Sequence, residues 1–479
     1  MKAFFKLNMK LSIWFICLAF LSCVSEPIEI DNLKLEGDTV SNLKSKSFQS
    51  ANITISLLES KPISPLIYGV NNDWRRISEE QYNTFANLLG DINYQVIRFP
   101  GGFESEFYDW SENRTPKWRN RPETPGASIA TVKESRPNAI SIVLPTVEAM
   151  NVQFGSPQYL VGLELMKNEA IEAINITGAD NITSIEIGNE WWLQFGGGVP
   201  REAKLFKYAN IAKDIASHIR LFFPTEDFKI LVNGDYTQPD EFRTINQVLV
   251  DSNSLQHIDG LALHTYTGYE SASHNIRDLQ MNITACKENL GKGYLSLSEW
   301  APSKLYNESK IYAEGANLLV EQMFEHAWAQ ADEAAFWPPT NPAIPGLGLF
   351  NFALTLKYPT AQLFGDMAMD FRGSVLNTET DGTMRVVAAQ KDNNEVVVYV
   401  VGKDQPYTKI ELNIDNNQAF DVISSSRWEP GDLGNTSRAI PMNKIENVEF
   451  KQIAGNRSVR FDVNKNSTYT IYKMVLQLR

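Results

Sequence analysis

The sequence predicts a (β/α)8 barrel followed by an antiparallel β-sandwich, an α/β chain of two domains. Three observations predict it. Across residues 65–365, eight short apolar runs alternate with stretches whose apolar residues recur at helical spacing. From about Phe371 the pattern changes to short alternating runs separated by Asp, Asn and Gly, the mark of antiparallel strands. No G-x-G-x-x-G and no P-loop is present, which weighs against the structural rival, a doubly wound sheet. The 479-residue length accommodates one large and one smaller domain, and 43% hydrophobic content with 10 tryptophans supports a large core.

The chain opens on a targeting pattern. Lys2, Lys6 and Lys10 precede the apolar run Leu11 to Leu21, which is too short to span a bilayer as a helix. Leu21-Ser22-Cys23 resembles a bacterial lipoprotein cleavage box. Residues 1–22 are therefore expected to be a signal peptide, with Cys23 the lipidated first residue of an envelope protein. The plainer alternative is ordinary secretion. Cys17 would leave with the signal and Cys286 would remain as a packing residue, so no internal disulfide is expected. Residues 23–50 are polar and poor in aromatics and read as a tether. Residues 51–64 open on an alternating strand, Ala51 to Leu58, expected to pair with the C-terminal sandwich.

The barrel is expected over 65–365. Its strands are Leu66 to Val70, Tyr94 to Phe99, Ala139 to Pro145, Ile182 to Ile187, Lys229 to Val232, Gly260 to His264, Tyr294 to Ser298 and Ala334 to Trp337. Helical patterns run over Glu79 to Leu89, Tyr159 to Ile174, Arg201 to Phe222, Glu241 to Val250, Asn275 to Leu290 and Ala313 to Ala331. The sandwich, 366–479, is expected to include strands at Arg385 to Gln390, Glu395 to Val401, Thr408 to Ile414, Ala419 to Ser424 and Thr468 to Leu476.

Chemistry concentrates at two strand ends. Ile187-Gly188-Asn189-Glu190-Trp191-Trp192 closes the fourth barrel strand, and Leu297-Ser298-Glu299-Trp300 closes the seventh. Active sites of such barrels lie at the C-terminal ends of the strands, where strands four and seven face each other. Two carboxylates there can flank one glycosidic bond. Aromatic walls favour the protonated form of a carboxyl, as a general acid requires. A single glutamate would read as a solvated strand end; two, each followed by Trp, make that reading the weaker one.

These motifs resemble the large clan of (β/α)8 glycoside hydrolases that retain anomeric configuration. Arg98-Phe99-Pro100-Gly101-Gly102, Tyr108-Asp109-Trp110, Arg121-Pro122 and Ile63-Ser64-Pro65-Leu66-Ile67-Tyr68-Gly69 are similar to segments of the α-L-arabinofuranosidase family 51 and its relatives. The resemblance covers most of residues 51–479. It implies Glu190 as acid/base and Glu299 as nucleophile. It also implies Asn189 on the sugar 2-hydroxyl, and Tyr266 or His264 against Glu299. Arg98 is placed to pair with the nucleophile or to serve a structural ion pair. Trp191, Trp192, Trp300 and Trp337 are candidate sugar platforms, with core packing expected for at least one. The clan often has a cis peptide after the last of these, and Trp337-Pro338 allows it. One departure stands out: where that family usually has Glu-His, this chain reads Val70-Asn71-Asn72-Asp73-Trp74.

The expectation is a retaining glycoside hydrolase acting on plant or algal glycan, arabinofuranosidase-like. The alternatives are an endo-acting β-glycanase and a non-catalytic glycan-binding lipoprotein. No cofactor or catalytic metal is expected, since H-E-x-x-H is absent and the histidines lack ligand spacing. Asp392-Asn393-Asn394 is a turn that leaves a structural calcium open. G-x-S-x-G is absent, against a serine esterase. A net charge of −13 argues against a nucleic-acid partner. The expected partners are the glycan and, through Cys23, a membrane.

Overall fold

The computed structural model describes residues 49–479 apart from 113–125, 136, 195–197, 269–274, 303–311, 342–347, 383, 403–406, 432–440, 454 and 463–468. The leader, Cys23, the tether up to residue 48 and the Arg121-Pro122 motif lie outside the described residues. Among those described, eight parallel strands close a barrel: β2 (Gly69–Asn71), β3 (Val96–Phe99), β4 (Ile140–Leu144), β5 (Ile182–Ile187), β6 (Lys229–Asp235), β7 (Gly260–Tyr266), β8 (Tyr294–Ala301) and β9 (Glu333–Phe336). Closure is made by β9 pairing with β2, Gly69 opposite Ala335. The strands read as near-continuous β-branched and leucine runs because both faces are covered, one by the barrel interior and one by helices.

The helices are α1 (Tyr82–Asp91), α2 (Ile129–Glu134), α3 (Val147–Met150), α4 (Pro157–Thr177), α5 (Arg201–Phe222), α6 (Pro239–Asp251), α7 (Leu279–Leu290), α8 (Tyr312–Trp328) and α9 (Pro359–Asp370). Helix α4 starts at a serine cap, Ser156, whose hydroxyl accepts from the Tyr159 N–H, with Pro157 in the first turn, and it ends at Gly178 in a positive-φ conformation. Its inward stripe, Tyr159, Leu163, Met166, Ala170, Ala173 and Ile174, is buried.

Two local expectations need correction. The first barrel strand does not begin at Leu66: Ser64 accepts the Leu66 N–H, Pro65 sets a helical φ, and Pro65–Ile67 forms a 3-10 turn. The segment expected to begin a helix at Asn275 forms a 3-10 turn over Ile276–Asp278 before α7.

Among the described residues, the second domain has strands β1 (Gln49–Pro62), β10 (Ser374–Thr380), β11 (Arg385–Gln390), β12 (Glu395–Val401), β13 (Tyr407–Ile414), β14 (Phe420–Glu429), β15 (Asn443–Glu446), β16 (Lys451–Ile453), β17 (Ser458–Asp462) and β18 (Ile471–Leu478). They form one ten-stranded sheet, ordered β15-β14-β18-β12-β11-β10-β1-β13-β17-β16. The sheet curls around its own core of Ile53, Ile55, Leu376, Val386, Val398, Leu412, Phe461 and Leu476. Strand β1, from ahead of the barrel, pairs with β10 antiparallel and with β13 parallel, so the sheet is not wholly antiparallel. Alternation divides β11 and β12 between two cores. Val386, Ala388, Val396 and Val398 face the sheet's interior, whereas Val387, Ala389, Val397 and Tyr399 join the barrel's core. No helix among the described residues is long and apolar enough to cross a membrane.

Candidate active site

At the C-terminal end of the barrel a cavity of about 190 Å³ is lined by Asp73, Arg75, Arg76, Phe103, Glu104, Glu190, Tyr266, Glu299 and Trp337. Both expected carboxylates therefore reach one pocket. One oxygen of Glu190, one oxygen of Glu299 and a nitrogen of His264 all lie within 4.8 Å of one another. That bound lies just under the ~5–5.5 Å between carboxyls that lets one attack a sugar while the other handles the proton.

Local backbone explains how Glu190 arrives there. Gly188 has φ +80° and Glu190 itself is left-handed, with φ 50° and ψ 49°. A non-glycine residue in this region is strained and persists where surroundings hold it. Here the Glu190 N–H donates to Asn233 Oδ1 at 2.9 Å, and the Asn189 N–H donates to buried Glu106. Glu106 also accepts from the N–H and hydroxyl of Thr146. Burial pushes Glu106 up to about 7, against the pull of these hydrogen bonds.

Arg98 is the hub. It is buried, and its Nε donates to Glu186 Oε2 at 2.7 Å. Nη1 donates to Glu299 Oε1 and Asn71 Oδ1, and Nη2 to Asn189 Oδ1, each at 2.8 Å. Asn71 is fixed in turn by donating to the carbonyls of Ser298 and Ala335. Arg98 thus pairs with both Glu299 and Glu186.

Glu299 accepts a second charged-acceptor hydrogen bond from the Tyr266 hydroxyl, at 2.6 Å on Oε2. Burial raises its carboxyl above the usual range, while His264 and Arg98 pull it back down. Burial also holds the Tyr266 hydroxyl well above its ordinary value, so it stays a donor. His264 lies between the carboxylates: Nδ1 is 3.0 Å from Glu190 and 3.5 Å from Glu299, and Nε2 is 3.6 Å from Glu186. Burial lowers its pKa, yet Glu299, Glu186 and Glu190 outweigh burial and the net value rises to about 10. Glu186 is the mirror case. Burial raises it, Arg98 and His264 outweigh that, and it falls to about 2.

Glu190, His264 and Glu299 are near enough to share a cation. The guanidinium of Arg98, 2.8 Å from Glu299, already pairs with one of these carboxylates.

The aromatic expectations divide. Trp337 is half-buried, lines the pocket, and its bond to Pro338 is cis, as is Phe99-Pro100. The loop after β3 fits closely beneath it: a Cβ on Gly102, at φ +61°, would come within 2.3 Å of the Trp337 ring. Trp191 and Trp300 are fully buried outside the pocket and are not platforms. Trp191 stacks on Tyr208 and donates to the Asn233 carbonyl. Trp300 packs against His326, Phe336 and Phe364. For Trp300 the cause is strand alternation: on β8, Glu299 points into the barrel and its successor points out to the helices. Trp192 is half-buried with its ring edge toward His264, 6.0 Å between centroids, and does not line the pocket. Asn189 Nδ2 is buried without a hydrogen-bond partner among the described residues.

Sequence reasoning missed Glu186, Asn233, Asn71 and Asp73. The signal for Glu186 was present: a carboxylate in the middle of an apolar parallel strand must be paired. Asp73 lies in the segment already noted as a departure. Burial raises it to about 6, and its Oδ2 accepts from Thr340 and Arg76.

No family model and no curated protein matches the chain. Solved structures do. The α-L-arabinofuranosidase from Thermotoga maritima, in an arabinose complex, aligns over 89% of this chain and 99% of its own, with TM-score 0.64 and 14% identity. The GH51 arabinofuranosidase from Xanthomonas axonopodis pv. citri aligns over 89% and 100%, with TM-score 0.64 and 12% identity. A GH39 enzyme from the same organism aligns over 92% and 100%, with TM-score 0.57 and 12% identity. This chain shares the fold of these proteins, barrel and appended sheet together.

Proposed function

We propose that this chain is a retaining glycoside hydrolase that removes a terminal sugar from a plant or algal glycan, in the manner of an α-L-arabinofuranosidase. The observation that carries the reading is the pairing of Glu190 and Glu299 in one pocket, with oxygens within 4.8 Å. In this reading Glu299, held by Arg98 and Tyr266, attacks the anomeric carbon as the glycosidic bond breaks. Glu190 gives its proton to the leaving oxygen. Water, deprotonated by Glu190, then releases the sugar from Glu299. The structural likeness to arabinofuranosidases supports the sugar class. The cavity volume of about 190 Å³ lies below the ~300–1,000 Å³ of pockets for larger ligands, which supports recognition of one ring over a long groove.

The test is a pair of variants assayed on 4-nitrophenyl α-L-arabinofuranoside and on arabinan. Glu299→Gln should abolish turnover. Glu190→Gln should lower turnover of arabinan by about 10²–10⁴-fold, the usual range for a lost acid/base. On aryl substrates with good leaving groups it should still form the covalent intermediate. Near-normal activity in both variants would end the reading.

We also propose that the mature chain is anchored through lipidated Cys23. The charged start, short apolar run and Leu21-Ser22-Cys23 support it. Metabolic labelling with palmitate should mark the protein and fail in Cys23→Ala; an unlabelled, secreted chain would refute the anchor.

A further inference from the structure

The reading above leaves one strongly held group without a task. Glu186 is the last residue but one of β5, four residues before Glu190, and is buried. Arg98 reaches only one of its oxygens, Oε2, at 2.7 Å. The second oxygen, Oε1, accepts from Asn233 Nδ2 at 2.6 Å and Ser298 Oγ at 3.0 Å, and lies 3.6 Å from His264 Nε2. The orientation of Asn233 is fixed at both ends, because its Oδ1 accepts the Glu190 N–H.

Charge counting shows what this oxygen does. The buried cluster holds Arg98, His264, Glu186, Glu190, Glu299 and the Tyr266 hydroxyl. With Glu190 protonated, as its role in the first step requires, Glu186 and Glu299 carry two negative charges. They balance Arg98 and a doubly protonated His264. A charged imidazole has an N–H on both sides. Its Nδ1–H then donates to Glu190 Oε1, 3.0 Å away, and the transferable proton is left on the other oxygen, Oε2. A neutral imidazole with its proton on Nδ1 would still donate there, its Nε2 accepting from Asn233 Nδ2 at 3.3 Å, whereas one with its proton on Nε2 would do the opposite. Its bare Nδ1 would accept from Glu190 and draw the acid's proton away from the leaving group.

We propose that Glu186 is a positioning residue, which acts through His264: by pairing with Nε2 it keeps the imidazole doubly protonated, so that Nδ1 donates to Glu190 and the acid's proton is presented to the substrate. The assignment rests on the catalytic reading for its consequence, though its first observable does not need activity. The raised value of His264 agrees with it. The groups facing His264 are Glu186 and Glu190 from β5 and the turn after it, Asn233 from β6, Glu299 from β8 and the edge of Trp192.

Two measurements on the full chain test it. The protein is labelled with ¹⁵N-histidine, which marks five residues, and the His264 signals are assigned by their loss in His264→Gln. The unaltered chain should show imidazolium shifts at both His264 nitrogens from pH 6 to pH 8.5. In Glu186→Gln they should become those of a neutral ring at pH 7. A His264 that titrates near 6.5 in the unaltered chain overturns the proposal without recourse to any variant. So does one that stays charged in Glu186→Gln.

The second measurement varies the leaving group on aryl arabinofuranosides. For Glu186→Gln, kcat/KM with poor leaving groups should fall by at least about tenfold, within the range of lost general-acid catalysis. With 2,4-dinitrophenyl, which leaves unaided, the loss should stay under about threefold, and Glu186→Asp should recover part of the difference. An equal loss on both substrate kinds means a structural role and overturns the proposal. If the unaltered chain turns over no aryl glycoside, the glycosidase reading fails, whereas the ¹⁵N result still decides what Glu186 does to His264.

Discussion

At the scale of single residues, the site is a buried charge cluster whose parts set one another's protonation. Tyr266 shows this most simply. Its hydroxyl donates to Glu299 at 2.6 Å, a bond made to the ionised form of that carboxyl. Burial already raises Glu299, so removing the donor raises it further. A nucleophile must be ionised to attack. In Tyr266→Phe the acid limb of kcat/KM should therefore move to higher pH, by about one unit, with a smaller loss at alkaline pH than at neutral pH. A pH profile of the variant checks this; an unmoved acid limb would mean that Tyr266 does not act on the protonation of Glu299. Glu190, Glu299 and Arg98 were legible in the sequence because they stand at strand ends, where a barrel puts its chemistry, whereas Tyr266 and His264 were singled out through the family resemblance. Glu186 was not legible. It lies inside a strand that reads as core, and its partners come from four separate strands, β3, β6, β7 and β8, with none nearby in sequence.

At the scale of elements, the alternation and helical spacing that revealed the barrel also explain where the sequence misleads. A Trp following a catalytic Glu looks like a platform, but on β8 the register turns Trp300 outward onto α8. There it meets His326, whose two ring nitrogens have no hydrogen-bond partner among the described residues. Burial lowers His326 to about 3. An unfolded histidine titrates near 6.5. Between those values the unfolded chain binds the extra proton, so the neutral-His contribution is fully present above about pH 6.5 and is lost as pH falls toward 3. The loss is on the order of 3–5 kcal/mol. His326→Leu should unfold at lower pH than the parent in an acid titration followed by circular dichroism. An unchanged acid midpoint would show that His326 does not set it. The short sandwich strands β15, β16 and β17 were not legible. The β15 and β16 segments carry many polar residues and little apolar alternation, and pairing with neighbours makes them strands; β17 does alternate, with Val459 and Phe461 inward, but over only five residues.

At the scale of the whole molecule, barrel and sheet share packed core residues. Strand β1 enters from ahead of the barrel to become a central strand of the C-terminal sheet, and Val387, Val397 and Tyr399 share the barrel's core. A buried ion network adds to this. Lys473 on β18 donates to Asp366 at 2.7 Å and Asp370 at 2.6 Å on α9, and Tyr399 donates to Asp366 at 2.8 Å. Lys473→Met should cost about 3–5 kcal/mol, since it leaves buried Asp366 only a more distant cation, Lys444, 3.9 Å away. Urea unfolding should show a single transition in both proteins, moved to lower urea in the variant. Two separated transitions in the parent would contradict a shared core. The two-domain plan was legible from the change of pattern near Phe371; the α9 helix that bridges the boundary was not, because it carries the buried Asp366 on a face that meets the second domain.

The central claim is that Glu299 becomes covalently bonded to a sugar while Glu190 supplies and withdraws the proton. Intact-mass spectrometry after incubation with an activated 2-deoxy-2-fluoro-α-L-arabinofuranoside tests it most directly. One added fluorosugar per chain is predicted, with peptide mapping placing it on Glu299 and no adduct in Glu299→Gln. An adduct on Glu190, or one that persists in Glu299→Gln, would contradict the account.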